Sequence, residues 1–262
     1  MRTEIIGSGD PEVAVVGLVH GDEICGLRAI NRLKENVEKS KVEIQKPVKL
    51  VIANEKAFNR GVKYVDTDLN RSFPGNEKSE DYESRLAVKL EEELKGLKVL
   101  DLHASKSPKT PFSIVSGLNE DSLSVAKTTC MENLLEISYV EGGLIDVLDS
   151  ACVVECGFNG SEESAKVAYR VVINFLAAND VVDQQHDVSD PDIFQVYDRS
   201  EGEGFEFVAE NFRNVEEGEV YARKEGEVKK ASEEFYPVLM STDGYEDMVG
   251  FKAKKISESQ RD

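Results

Sequence analysis

At 262 residues the chain is long enough to bury a full core and short for two domains of average size. Acidic residues outnumber basic ones 51 to 32, giving a formal charge of −19, which disfavours binding to nucleic acid or an anionic membrane through bulk electrostatics. With 40% hydrophobic and 32% charged residues the composition is globular rather than disordered. Its acidic excess fits either adaptation to high salt, where screening removes much of the self-repulsion, or an ordinary acidic cytosolic protein. No apolar run reaches membrane-spanning length, and the opening Met1 to Ile6 leads into Gly-Ser-Gly-Asp rather than an apolar leader, so a cytoplasmic protein is expected. The cysteines Cys25, Cys130, Cys152 and Cys156 lack Cys-x-x-Cys spacing and are expected to be reduced.

In chain order, the first predicted strand spans about residues 12–19 (Val13-Ala14-Val15-Val16-Gly17-Leu18-Val19), and a helical pattern follows over about 23–38. His20 and Glu23 therefore occupy a strand-to-helix turn, the place where open α/β sheets put ligand sites. A strand at about 48–53 precedes the polar loop Asp66-Thr67-Asp68-Leu69-Asn70-Arg71-Ser72-Phe73-Pro74-Gly75. A guanidinium such as that of Arg71 grips a carboxylate with two parallel donors, and the Asn70 amide adds orientation; the same loop also reads as a solvated surface loop. A helix at about 80–95 leads to a strand at about 97–101 that ends in Asp101-Leu102-His103. A strand at about 112–116, a helix at about 121–134 and a strand at about 151–156 follow. That last strand sets Glu155 among apolar neighbours, where an ionisable group is expensive unless paired or functional, although strand alternation also allows it a solvent-facing position. The helix at about 161–178 opens with Ser161-Glu162-Glu163, a cap followed by acids that suit the positive end of its dipole. After Asn179 only short strand-like segments remain, around Phe194 to Val196, Phe205 to Val208, Val220 to Ala222 and Tyr236 to Met240. This alternation predicts an α/β domain over 1–180, with a mixed, largely parallel sheet flanked by helices, and a smaller β-rich domain over 190–262.

A hydrolytic zinc site takes three protein ligands from His, Asp or Glu and keeps one position for water. His20, Glu23 and His103 would supply that set from strand ends of one sheet, although His-x-x-Glu alone is a weak sign, since short polar turns of this kind are common without metal. The succession His-x-x-Glu, Asp-Leu-Asn-Arg-x-Phe-Pro-Gly, Asp-Leu-His and Val-Glu-x-Gly, spread over residues 12–178, resembles the succinylglutamate desuccinylase/aspartoacylase family, itself similar to the zinc carboxypeptidases. The resemblance implies a zinc-carboxypeptidase-like fold in which His20, Glu23 and His103 bind Zn2+ and Glu155 is the general base or acid. It implies that Asn70 and Arg71 hold the substrate carboxylate, and that Asp68 fixes the imidazole tautomer of His20, a place also open to a turn-forming Asp. Where family members carry an arginine before the aromatic of Tyr64-Val65-Asp66 this chain has Lys63, with Arg60 three residues earlier as its possible substitute. Tyr245 matches a substrate-lining tyrosine or a packing residue. The acyl-aspartate enzymes resemble one another in a further arginine upstream of the catalytic glutamate, and the corresponding stretch from Gly142 to Asp149 has no basic residue, which argues against N-acetylaspartate.

The expected function is that of a zinc-dependent amidohydrolase (deacylase) cleaving an N-acyl amino acid or related small carboxylate amide through a metal-activated water. The alternatives are a carboxypeptidase acting on peptide C-termini with the same Asn-Arg grip, and a non-catalytic zinc-binding module. The expected partner is a small-molecule carboxylate amide, with neither nucleic acid nor membrane, and a homo-oligomer is compatible with this reading.

Overall fold

The computed structural model describes residues 1–105 and 110–257. The first part of the chain alternates strands and helices: β1 (Arg2–Ile6), β2 (Val13–Gly17), α1 (Cys25–Glu38), β3 (Val48–Ile52), α2 (Glu55–Arg60), α3 (Tyr82–Leu94), β4 (Lys98–Ser105), β5 (Phe112–Val115), α4 (Glu120–Thr128), β6 (Asn133–Glu136), β7 (Ala151–Phe158) and α5 (Glu162–Ala178). The rest is β-rich: β8 (Asp192–Glu201), β9 (Glu206–Phe207), β10 (Val220–Lys224), β11 (Glu227–Lys230), β12 (Tyr236–Val238) and β13 (Met248–Ile256).

A mixed, mostly parallel sheet flanked by helices carries the fold, in the order β1-β3-β2-β4-β7-β5-β6-β8-β13-β12. Strands β3, β2, β4 and β7 run parallel to one another, β5 meets β7 antiparallel, and β5, β6 and β8 are again parallel. Strand β2 is buried at every position, as a central strand covered on both faces must be. One face packs on α1, α4 and α5 through residues such as Leu33, Val125, Val171 and Phe175. The other packs on α3 through Leu86, Leu90 and Leu94. The β-rich part adds β8, β13 and β12 to this sheet and builds a separate sheet, β11-β10-β9, over a small core of Val215, Tyr221, Phe235 and Met240.

Local chemistry accounts for the boundaries. Ser161 Oγ accepts the Ser164 N–H at 3.0 Å to start α5, with Glu162 and Glu163 in the first turn. The helix expected to 134 stops at Thr128: Cys130 takes a left-handed conformation (φ 54°) and Asn133–Glu136 becomes a strand between β5 and β8. A short apolar run such as Leu134-Leu135 fits either period, and pairing on both sides decided it. Strand β4 continues past the expected end and carries His103 within it, in register with Glu155 on β7. Among the described residues, no helix is long and apolar enough to cross a membrane.

Candidate active site

Strand β2 ends at Gly17, and Leu18 in a left-handed conformation (φ 60°) turns the chain so that His20 and Glu23 stand between the strand and α1. Gly21 is required by this turn, since a Cβ there would lie 2.4 Å from the Phe58 nitrogen of α2, and its own N–H donates to the Lys63 carbonyl at 2.8 Å. The Glu23 carboxylate lies between two imidazoles: Oε1 is 2.7 Å from Nδ1 of His20, and Oε2 is 2.9 Å from Nδ1 of His103. The ligand atoms of His20, Glu23 and His103 all fall within 4.8 Å of one another.

Behind each ring stands another carboxylate. His20 Nε2 donates to Asp68 Oδ1 at 3.0 Å, and His103 Nε2 donates to Asp101 Oδ2 at 2.9 Å. With the Nε2–H groups committed outward, both Nδ1 atoms turn toward Glu23, and each is the ring nitrogen that would bind a cation once its proton is displaced. Burial pushes both imidazoles down, but the surrounding carboxylates outweigh it: Asp101 and Glu23 hold His103 well above its ordinary value, and Glu23 and Asp68 raise His20. Burial works the other way on Glu23 and Asp68, yet the histidines hold both well below the usual carboxylate range. Two imidazoles and one carboxylate converging inside a shell of further carboxylates fit a divalent metal, whose charge would offset theirs.

Glu155, beside His103 in register, lines the same cavity of about 340 Å³. Burial, with the charge of Glu23 added to it, raises its carboxyl to about 7, against the opposing pull of His103 and His20. Its Oε2 is buried and has no hydrogen-bond partner among the described residues.

The Asp-Leu-Asn-Arg motif forms a 3-10 turn over Leu69–Arg71. Asp68 starts it by accepting the Asn70 N–H at 2.9 Å on the oxygen that also receives His20, and its second oxygen takes Lys63 Nζ at 2.6 Å. Asn70 Oδ1 accepts the Leu144 N–H at 3.3 Å, which orients the amide. Gly142 (φ 95°) lets its neighbouring loop close on this turn, since a Cβ would lie 3.0 Å from Arg71 Cα.

Asn70, Arg71, Lys63, Asp68 and Tyr245 therefore all line the cavity with His20, Glu23, His103 and Glu155. Arg60 does not; it is exposed at the end of α2. The Tyr245 hydroxyl is raised by burial and by the Glu155 charge, against Arg71. Reading the residues in order missed Glu83. This fully buried carboxylate on α3 accepts the N–H groups of Val65, Asp66 and Thr67 at 2.7, 2.9 and 3.3 Å and the Asn54 amide at 3.0 Å, so it anchors the loop that leads to Asp68. Its signal was an acid on the apolar face of α3, in step with Leu86, Ala87 and Leu90.

The fold and the converging His-Glu-His cluster define a mixed α/β scaffold with a candidate metal centre. Residues 9–136 match the family model of the succinylglutamate desuccinylase/aspartoacylase catalytic domain. It is 36% identical over 76 residues to a probable aspartoacylase of Prochlorococcus marinus subsp. pastoris, covering 29% of this chain and 25% of that protein. It is 28% identical over 151 residues to the aspartoacylase of Xenopus tropicalis, covering 55% and 46%. The matched segments thus span between a quarter and about half of these relatives' lengths. Among solved structures, the product-bound ectoine utilization protein EutE (DoeB) of Ruegeria pomeroyi superposes with a TM-score of 0.77 at 17% identity, over 97% of this chain and 88% of that one, a likeness of fold.

Proposed function

We propose that the chain is a zinc-dependent amidohydrolase that cleaves the amide bond of an N-acyl amino acid or related small carboxylate amide. The reading is carried by one observation: His20, Glu23 and His103 converge on the cavity that also holds Glu155, Asn70 and Arg71. Glu155 lies beyond the segment that matches the family model, so its role rests on its place in the site.

His20, Glu23 and His103 would hold a zinc ion, which would supply Lewis acidity toward a water and the amide carbonyl. Arg71 and Asn70 hold the substrate carboxylate and so fix the amide relative to Glu155. Glu155 takes the proton of the attacking water and returns it to the nitrogen of the leaving amine, two transfers suited to a carboxyl raised to about 7. Asp68 and Asp101 hold the imidazoles in the tautomer that binds metal. Lys63 neutralises the outer oxygen of Asp68, which leaves Arg71 as the fork for the carboxylate. The segment from Leu239 to Tyr245 forms part of the cavity wall and favours a small substrate over a peptide.

Purified protein is expected to carry zinc near one per chain and to release free amine from N-acyl amino acids, with activity lost on chelation and restored by zinc. Running the assay at low and at multimolar salt tests the high-salt reading of the acidic surface. Preferential cleavage of peptide C-termini would move the assignment to a carboxypeptidase, and a protein that binds no metal would overturn it. Asp101→Asn, which weakens the support of His103 without replacing a ligand, is expected to lower zinc affinity by about 10–100-fold in competition with a chromophoric chelator.

A further inference from the structure

The cavity separates polar from apolar contacts. Beside the donors of Asn70 and Arg71, its wall contains the aliphatic side chains Ile114, Ile137, Val140, Ile145, Val153 and Leu239. Ile114, Ile145 and Val153 are members of the apolar cluster on the α3 face of the sheet, and the other three pack against it, so the lining is the edge of a close-packed core. Val153 faces Ile114 across β7 and β5. It also lies two residues from Glu155, on the same strand face, so the hydrocarbon wall begins next to the reactive carboxyl.

Ile145 occupies the stretch from Gly142 to Asp149, which carries no basic residue. The stretch is held in place by the Asp146 carboxylate, which accepts the Gly143 N–H at 2.8 Å, and by the Leu144 N–H on Asn70. It sets Ile145 and Asp146 on the cavity wall, and Asp22 and Asp243 add further carboxylates to it. A second substrate carboxylate would meet hydrocarbon and like charge there, whereas an apolar group would be desolvated against a complementary surface.

Resting on the deacylase reading, we propose that the substrate carries a single carboxylate and an extended or branched hydrocarbon group, with Ile145 the residue that selects it. The hydrocarbon belongs either to the amino acid side chain or to the acyl group. N-acetylleucine and N-hexanoylglycine separate these sources, with N-acetylglycine and N-acetylaspartate as the apolar-free and dicarboxylate references.

The test pairs kcat/KM on these four amides with calorimetric binding of hexanoate and succinate, which the site cannot hydrolyse, to the zinc-loaded protein. Each buried methylene is worth about fourfold in affinity, so hexanoate is expected to bind at least ~10-fold tighter than succinate. One of the two apolar amides is expected to exceed both references in kcat/KM by a similar factor. Ile145→Arg is expected to reverse the order of the two acids, and the milder Ile145→Ala to weaken hexanoate alone. Succinate binding as tightly as hexanoate to the unaltered protein, or N-acetylaspartate as its best substrate, would overturn the inference while leaving the deacylase in place. Hexanoate preference with no turnover of any amide would support the apolar site and overturn the deacylase reading instead.

Discussion

Glu155→Gln is expected to leave the fold and the bound metal intact while lowering turnover by ~10²-fold or more, the range lost when a general acid or base is removed. Glutamine preserves the side chain's shape but cannot accept and return a proton. Because Oε2 has no hydrogen-bond partner among the described residues, the amide breaks no protein contact made by that atom. The side chain is also distinct from the proposed ligands, since the converging set is His20, Glu23 and His103. Three measurements on one preparation decide the matter: zinc per chain, near-ultraviolet circular dichroism, and single-turnover rate. Retained metal and fold with lost chemistry is the expected pattern. Wild-type rates would remove Glu155 from the mechanism, and loss of zinc would make it a ligand.

A second large effect is expected at Glu83, away from the reacting groups. Its carboxylate gathers the N–H groups of Val65, Asp66 and Thr67 and the Asn54 amide, so Glu83→Ala leaves four donors without their acceptor. Stranding buried donors costs about 1–3 kcal/mol each when no water replaces the partner, and some of these will rehydrate. The expected loss is therefore at least ~3 kcal/mol, above the ~1 kcal/mol typical of a point substitution, lowering Tm by roughly 6–12 °C in a chain of this size. Because the anchored loop continues into Asp68, Asn70 and Arg71, the variant is also expected to raise KM more than it lowers kcat. A Tm within 2 °C of the wild type, at about the resolution of the method, would refute the anchoring role.

The same residue gives a pH signature. Burial raises the Glu83 carboxyl, but the hydrogen bonds from Val65, Asn54, Asp66 and Thr67 outweigh it and hold the group below its ordinary value. A depressed folded-state pKa stabilises the protein above the unfolded value, about 4.3 for glutamate, and that stabilisation fades as pH falls through the lower folded value. Wild type is thus expected to exceed Glu83→Gln in stability most at neutral pH, with the gap closing below pH ~4. Denaturant titrations at pH 7, 5 and 3.5 would read it, and a gap independent of pH would contradict the sign.

The parts of the fold and site that could be read from the sequence are those written in short contiguous patterns. Val13 to Gly17 is apolar at every position because β2 is covered on both faces, and His20 stands in the turn just beyond, where the carboxyl ends of strands in such sheets place ligand sites. His103 was visible just past one expected strand and Glu155 within another, but their pairing across β4 and β7 depends on a register that no local pattern encodes. Strand β6 read as helix because two leucines fit either period. Strand β13 stayed hidden because its second half, Lys252-Ala253-Lys254-Lys255-Ile256, is lysine-rich and keeps no apolar alternation, and antiparallel pairing with β8 makes it a strand. The anchoring by Glu83 was out of reach for the same reason: its partners lie 16 to 29 residues away.

Gly142 and Leu144 touch the Asn-Arg turn through its backbone and its amide, and the Phe73 N–H donates to the Gly142 carbonyl at 3.2 Å. The stretch that carries Ile145 is thereby joined to the turn that carries Arg71, although 74 residues separate Asn70 from Leu144. Chimeras built with a relative would therefore have to exchange 66–75 and 142–149 as one cassette. Moving either alone would strand a steric match on the other side of the seam, so new selectivity in this lineage would be reached by paired substitutions rather than by single steps.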